Sequence, residues 1–169
     1  MLIRTHQFYE RKGFASIEKL PNAFVFCNEI EWHRLPDASK ARTADGKPLK
    51  RERTDCDFKG HVRGTGIAFD AKEFAGPSIP LSNFKPHQVH RLYMFARTGG
   101  TAGFMIWAKR IDSVFWIDAI PFDRTYHGRD LKSLNLDWLR RHAVTVCQAT
   151  SAALIDWAAV LFPAPPKAS

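Results

Sequence analysis

The chain has 169 residues, a formal net charge of +8 and a hydrophobic content of 45%. This length predicts one domain with its own core, and this composition excludes a disordered chain. No apolar run approaches the length of a membrane span, and the N-terminus has no apolar signal-peptide core. The cysteines Cys27, Cys56 and Cys147 are far apart and form no CxxC pair, which favours a reducing compartment and predicts a cytoplasmic protein.

The chain opens with a predicted helix and a predicted strand. Residues 1–13 close on Glu10-Arg11-Lys12-Gly13, and basic residues followed by glycine are typical of a helix C-terminus. Residues 22–27 follow Pro21 and consist mainly of apolar residues, which predicts a buried strand.

A long basic insertion, residues 28–54, comes next. Its net charge of +4 within residues 34–53 is half that of the whole chain. Long insertions without an apolar pattern are usually functional or mobile. We expect a basic arm that contacts DNA phosphates, with a solvated loop as the alternative. The predicted DNA-binding residues are its cations, Arg34, Lys40, Arg42, Lys47, Lys50, Arg51 and Arg53.

The stretch 55–72 predicts a β-hairpin with a tight turn at Arg63-Gly64. Because side chains alternate between the faces of a strand, one face is mostly apolar. The other face carries Asp55, Asp57, Asp70 and Lys72. The turn places Asp57 opposite Asp70 and Asp55 opposite Lys72, with opposed Cβ atoms roughly 5 Å apart.

The remaining elements predict a sheet with helices on it. Residues 85–97 begin with Lys85-Pro86 and predict a helix that ends at Gly99-Gly100. Residues 102–108 and 113–119 predict two apolar strands that pair antiparallel, the first of them central in the sheet. Residues 133–146 predict an amphipathic helix, residues 152–161 an apolar segment that packs on the body, and residues 163–169 a frayed tail. We therefore predict a single α/β domain over residues 1–169, with a mixed sheet flanked by helices.

Two interpretations of the acidic hairpin face remain open from the residues. Like charges directly opposed in a sheet destabilise it, so the face is either a solvated surface on which Asp and Lys balance, or a site that needs carboxylates together. Oxygen-rich clusters suit Mg²⁺ or Mn²⁺. A metal ion beside a lysine can organise a phosphate and its attacking water, which is phosphoryl-transfer chemistry.

The spacing of the hairpin residues resembles a known nuclease signature. Asp57 followed by Asp70-Ala71-Lys72 is similar to the D…(D/E)xK motif of the PD-(D/E)xK nuclease superfamily. The wider run resembles the RecU Holliday junction resolvases over about residues 6–118. It consists of Asp57-Phe58-x-Gly60, Phe69-Asp70-Ala71-Lys72-Glu73, Pro80-Leu81-x-Asn83-Phe84-x-x-His87-Gln88 and Gly99-Gly100.

This resemblance implies a restriction-endonuclease-like fold and a homodimeric endonuclease that cuts four-way DNA junctions with Mg²⁺ or Mn²⁺. It implies that Asp57 and Asp70 bind the metal, that Lys72 stabilises the transition state, and that Gln88 joins the metal site. Residues 28–54 occupy the position of the family's stalk. Asp55 falls where the family usually has a threonine ligand.

The chain also departs from the family pattern. An acidic residue of the family's first helix has no counterpart, because it would fall before Met1. We hypothesise that Asp55 offsets this loss as an additional metal ligand. The alternatives to a junction resolvase are another DNA nuclease of the same superfamily, for repair or restriction, and a branched-DNA-binding protein without catalysis. None of these functions requires a membrane.

Overall fold

A computed structural model describes residues 2–19, 23–26, 32–33, 51–53, 56–128, 130–146 and 157–163. The helices within these ranges are α1 (Leu2–Arg11), α2 (Pro86–Arg97), α3 (Ala119–Gly128), α4 (Leu136–His142) and α5 (Trp157–Leu161). The strands are β1 (Ala15–Lys19), β2 (Ala23–Phe26), β3 (Trp32–His33), β4 (Arg51–Arg53), β5 (Phe58–Val62), β6 (Thr65–Phe74), β7 (Ser78–Pro80), β8 (Thr101–Ala108), β9 (Ser113–Asp118), β10 (Ser133–Asn135) and β11 (Val144–Val146).

A six-stranded mixed sheet forms the centre of the fold, in the order β1-β5-β6-β8-β9-β11. The two central strands, β6 and β8, pair in parallel, while β5 with β6 and β8 with β9 pair antiparallel. A parallel pair needs a crossover connection, and α2 lies in that connection. The predicted mixed sheet flanked by helices is confirmed, as are the central position of β8 and its antiparallel pairing with β9.

Each face of the sheet carries its own apolar core. On one face, Phe104 of β8 packs with Phe84 and Phe122 beneath α2 and α3, with ring centroids 4.8–5.0 Å apart. On the opposite face, Phe69 of β6 and Trp157 of α5 pack with the buried side of α1. Because both faces are covered, a polar side chain in the middle of a central strand lies beneath a packed layer.

The β5–β6 hairpin has the predicted register. Phe58 pairs with Phe69, and Lys59 pairs with Ala68. Arg63 and Gly64 form the turn with φ angles of 50° and 81°. Positive φ at both central residues defines the turn whose twist matches that of the flanking strands.

Gly60 of β5 is required by the neighbouring edge strand. A Cβ atom at this position would lie 1.9 Å from the carbonyl oxygen of Ser16 in β1. Residue 60 pairs with Ile17, so β1 can approach β5 only where β5 has no side chain on that side. This glycine, which belongs to the recognised motif, therefore has a packing role.

Several sequence predictions were wrong or incomplete. Residues 133–146 do not form one helix: only Leu136–His142 is helical, and short strands lie on either side of it. The β-branched run Val144-Thr145-Val146 instead pairs with β9. Both β1 and α3 were missed, since the first is a short mixed-polarity edge strand and the second follows β9 with no connecting loop.

Two further predictions concern the elements around the sheet. Met94 was expected on the buried side of α2 but is 46% exposed. Within the basic insertion, Trp32–His33 and Arg51–Arg53 are strands that pair with β2, and the rest of that insertion lies outside the described residues. None of the helices in the described ranges is long and apolar enough to cross a membrane.

His6 of α1 is an unusual member of the second core. Its ring lies edge-on against Phe58, Phe69 and Trp157 at centroid distances of 5.1, 6.0 and 5.7 Å. Its Nε2 atom is buried and makes no hydrogen bond within the described part of the chain. Burial lowers the pKa of His6 to about 4, because a charged ring in this apolar site would lose its hydration.

We expect the free energy of unfolding to fall in acid through His6. The folded protein holds this ring neutral, whereas the unfolded chain protonates it near its ordinary pKa, so stability is lost as pH falls from about 6.5 towards 4. The expected loss between pH 7.5 and pH 5 is about 2 kcal/mol. Urea unfolding of wild type and His6→Phe at both pH values measures it. Equal pH dependence in the two proteins would contradict the assignment.

Candidate active site

Two of the predicted site residues lie on the central strand β6. Asp70 pairs with Phe104 and Lys72 with Ile106 of β8, so both point to the face that α2 covers. The side chain of Asp70 has no exposed surface, while that of Lys72 is 18% exposed. The acidic face of the hairpin is thus not a solvated surface, and this alternative was wrong.

Asp57 reaches the same place from the start of β5. It precedes the hairpin ladder by one residue, directly before the Phe58–Phe69 pair. Its Oδ2 atom accepts a hydrogen bond from the backbone N–H of Ala71, at 3.0 Å. This bond fixes the carboxylate beside β6, between the positions of Asp70 and Lys72. Because a backbone N–H does not depend on the residue type, the sequence does not indicate this donor, and the bond was not predicted.

Gln88 closes the arrangement from the first turn of α2. Its Nε2 atom donates to Oδ1 of Asp70 at 2.7 Å, and its Oε1 atom accepts from Nζ of Lys72 at 3.4 Å. Lys72 also forms an ion pair with Oδ2 of Asp70. Pro86 at the start of α2 fixes where the helix begins and so where Gln88 is placed. Asp70, Lys72 and Gln88 therefore form one hydrogen-bonded and ion-paired network.

The environment of Asp70 raises its pKa to about 7. The main cause is burial, which disfavours the charged carboxylate, and the nearby negative charge of Asp57 adds to it. The hydrogen bond and positive charge of Lys72 act in the opposite direction and offset part of the increase. Two carboxylates that share a buried site in this way are stabilised by a proton or by a cation between them.

The donor set fits a hard divalent cation. Asp57 and Asp70 supply carboxylate oxygens, and Gln88 supplies an amide oxygen once its side chain turns that oxygen towards the ion. Oxygen ligands of this type suit Mg²⁺ and Mn²⁺. Within the ranges that the structure describes, no three His, Cys, Asp or Glu side chains group as they would around a metal ion.

The other predicted site residues fall into two groups. Arg51 and Arg53 lie in β4, opposite Val25 and Ala23 of β2. The remainder lie outside the described residues, and they are Arg34, Lys40, Lys47, Arg42, Lys50 and the hypothesised metal ligand Asp55.

Residues around the network have other roles. Glu73, which follows Lys72, forms an ion pair with Lys109 at 2.6 Å near the end of the strand. His61 and His90 are exposed. Trp116 is buried and donates to Asp118 at 2.7 Å, in agreement with its predicted place in the core.

The chain matches a family of known proteins. The family model described as "Recombination protein U" matches residues 1–161. A protein named Holliday junction resolvase RecU from Geobacillus sp. (strain WCH70) is 27% identical over 116 residues, 68% of this chain and 55% of that protein. One of the same name from Streptococcus gordonii is 26% identical over 151 residues, 88% of this chain and 72% of that protein.

The share of each relative's length that the chain spans differs, and one solved structure is also similar to the chain. The chain spans about half the length of the Geobacillus relative, and 72% of the streptococcal one. Among solved structures, the Archaeoglobus fulgidus protein Hjc, described as a Holliday junction resolvase, matches with a TM-score of 0.43 and 10% sequence identity. That match covers 85% of this chain and 94% of the other.

We expect the raised pKa of Asp70 to give the metal-free protein a distinctive pH dependence. A folded carboxyl with a raised pKa contributes stability at low pH that is lost as pH rises towards its folded pKa. Relative to Asp70→Asn, wild type should lose about 2 kcal/mol of unfolding free energy between pH 5 and pH 7. Urea unfolding in EDTA measures this difference.

The asparagine variant is a close control, because it keeps the shape and the hydrogen bond to Gln88 while removing the titrating group. A constant stability difference between the two proteins across this pH range would show that Asp70 is ionised throughout.

Proposed function

The chain belongs to the recombination protein U family, and on that premise we propose that it is a metal-dependent endonuclease that cleaves phosphodiester bonds in four-way (Holliday) DNA junctions during recombination. The observation that carries the proposal is the network of Asp70 and Lys72 on β6 with Gln88 of α2, with Asp57 fixed beside it by the N–H of Ala71. Carboxylates, an amide oxygen and an ammonium group that converge at one point suit phosphoryl transfer.

We propose that Asp57, Asp70 and Gln88 hold Mg²⁺ or Mn²⁺, with Asp55 as an additional ligand. A divalent ion bound there would polarise the scissile phosphate and lower the pKa of an attacking water. Asp70 is buried and accepts a hydrogen bond from Gln88 at 2.7 Å, so this one ligand is already held in place.

Lys72 acts on the substrate. Its ammonium group is partly exposed, while its ion pair with Asp70 holds it at the site. From this position it stabilises the negative charge that develops on the pentacovalent phosphate. In-line attack by water on the phosphorus, with the P–O3′ bond breaking and the 3′ oxygen leaving and taking up a proton, would leave a 5′-phosphate and a 3′-hydroxyl.

The charge of the chain supports DNA as the substrate. A net charge of +8 favours a polyanion, and residues 34–53 supply half of it. We propose that the cations of this segment contact the junction phosphates. Resolution needs two matched nicks, so we also propose a two-fold homodimer, acting in the cytoplasm.

Cleavage assays with synthetic DNA test the proposed activity. With Mg²⁺, wild type should cut a four-way junction faster than a linear duplex of the same sequence. Asp70→Asn and Lys72→Ala should each lower the single-turnover rate at least about 100-fold, because each removes charge from the reacting centre. Lys109→Ala, which removes the pair with Glu73 and the contact with the Trp107 ring, should cut at the wild-type rate.

Three results would redirect the proposal. Undiminished cutting by Asp70→Asn would overturn the site assignment. Equal rates on junction and linear duplex would favour a repair or restriction-like nuclease of the same superfamily. Tight junction binding without cutting would favour a non-catalytic branched-DNA-binding protein.

A separate comparison tests Asp55 as a metal ligand. If its carboxylate is a metal ligand, Asp55→Asn should lower the Mg²⁺-dependent cleavage rate as much as Asp57→Asn does, by about 100-fold or more. The metal concentration at half-maximal rate should rise in both variants. Near-wild-type cleavage by Asp55→Asn would show that the remaining ligands suffice.

A further inference from the structure

A cleft of about 250 Å³ opens beside the candidate active site, between α2 and the β5–β6 hairpin. Two cations, Lys59 of β5 and Arg91 of α2, line it. Its apolar walls come from Ala68, Leu92, Met94 and Phe95. Neither cation belongs to the network of Asp70, Lys72 and Gln88, and neither was among the predicted site residues. We call this feature the Lys59–Arg91 cleft.

The cleft continues directly from the active site along the same face of the sheet. Lys59 follows Asp57 by two residues and pairs with Ala68, which precedes Asp70 by two residues in β6. The displacement along the strands is therefore one full repeat of the pleat, roughly 7 Å.

The helix above the sheet shows the same displacement. Arg91 follows Gln88 by three residues in α2 and so lies almost one helical turn further on. Both cations are thus offset in the same direction from the residues of the network. This offset corresponds to the step from one phosphate to the next along a DNA strand.

The walls of the cleft are rigid on one side and open on the other. Phe95 packs over Gly66 and Gly100, where Cβ atoms would lie 3.2 and 2.2 Å from its ring. Glycine at these positions lets the ring lie flat against the sheet. Met94 is 46% exposed at the rim. Apolar walls below two cations fit a sugar with its phosphate better than they fit a free inorganic anion.

We infer that the Lys59–Arg91 cleft binds the nucleotide next to the scissile phosphate on the cleaved strand, with its phosphate between the two cations and its deoxyribose against the apolar walls. The inference rests on the proposed nuclease function. It assigns the two residues to substrate positioning, since both lie beside the network and not within it.

A phosphate scan of the substrate tests the inference. The substrates are junctions in which one phosphate is replaced by a neutral methylphosphonate. The replacement is placed in turn at each of the two positions on either side of the scissile phosphate. Wild type, Lys59→Gln and Arg91→Gln are each tested on these junctions. Wild type should lose roughly tenfold in kcat/KM at one position adjacent to the scissile phosphate. On unmodified DNA, each variant should show a similar loss of kcat/KM. On the junction in which that phosphate is neutral, kcat/KM of the variant should fall little further, because the same interaction is already absent.

Lys12→Gln is the matched control. Lys12 is exposed and follows α1, which packs on the opposite face of the sheet. This variant should keep the wild-type rate and the full sensitivity to the neutral phosphate. The contrary result is that the loss of kcat/KM from the substitution and the loss from the neutral phosphate multiply at every scanned position. Neither cation would then contact an adjacent phosphate, and the inference would be overturned.

A binding measurement separates this inference from the proposed function. Fluorescence anisotropy with Ca²⁺ in place of Mg²⁺ gives the affinity for the junction at several salt concentrations, whether or not the protein cuts. In each variant, the slope of log K against log salt should be smaller than in wild type by about the amount that one phosphate contact contributes. Wild type that binds but does not cut would defeat the nuclease proposal and with it the assignment to a scissile phosphate, whereas unchanged slopes in both variants of a protein that cuts would defeat the cleft assignment alone.

Discussion

The buried carboxylate of Asp70 is the constraint on which the rest of the site depends. A charged group in the centre of a sheet that is covered on both faces is unfavourable unless its partners are provided by the fold. Here Lys72 arrives from the same strand and Gln88 from the helix that crosses between β6 and β8. The parallel strand pair, the crossover helix and the helix start at Pro86 are all needed to bring these partners together.

Both apolar cores hold the carboxylate of Asp70 in its position. The core beneath α2 and α3 contains the aromatic cluster of Phe84, Phe104 and Phe122, which fixes the helix that carries Gln88. The core on the other face holds β6 from behind through Phe69 and the side chains of α1 and α5. Displacement of either layer would move Asp70 relative to its partners, so the geometry of the site depends on the packing of both.

Local patterns were sufficient to predict the parts of the site that lie within one hairpin. The two-residue turn at Arg63-Gly64 fixes the register, and the register brings Asp57 to Asp70 without further information. The burial of Asp70 could not be predicted this way, because it depends on α2, which lies outside the hairpin, folding back over the sheet. The strand β1 and the boundaries of α4 were not predicted correctly for a related reason. Their boundaries are set by strand pairing, and the hydrophobic period of the sequence does not record it.

Gly60 illustrates how a motif can combine chemistry with architecture. Asp57 belongs to the site, but the glycine three residues later is needed because β1 passes within 1.9 Å of where its side chain would begin. A sequence search that counts this glycine as a sign of nuclease activity therefore detects the presence of the edge strand β1 instead. A homologue that had lost its metal-binding acids would still need the glycine while it kept that strand. A chain in which the edge strand is absent could replace it freely and remain an enzyme.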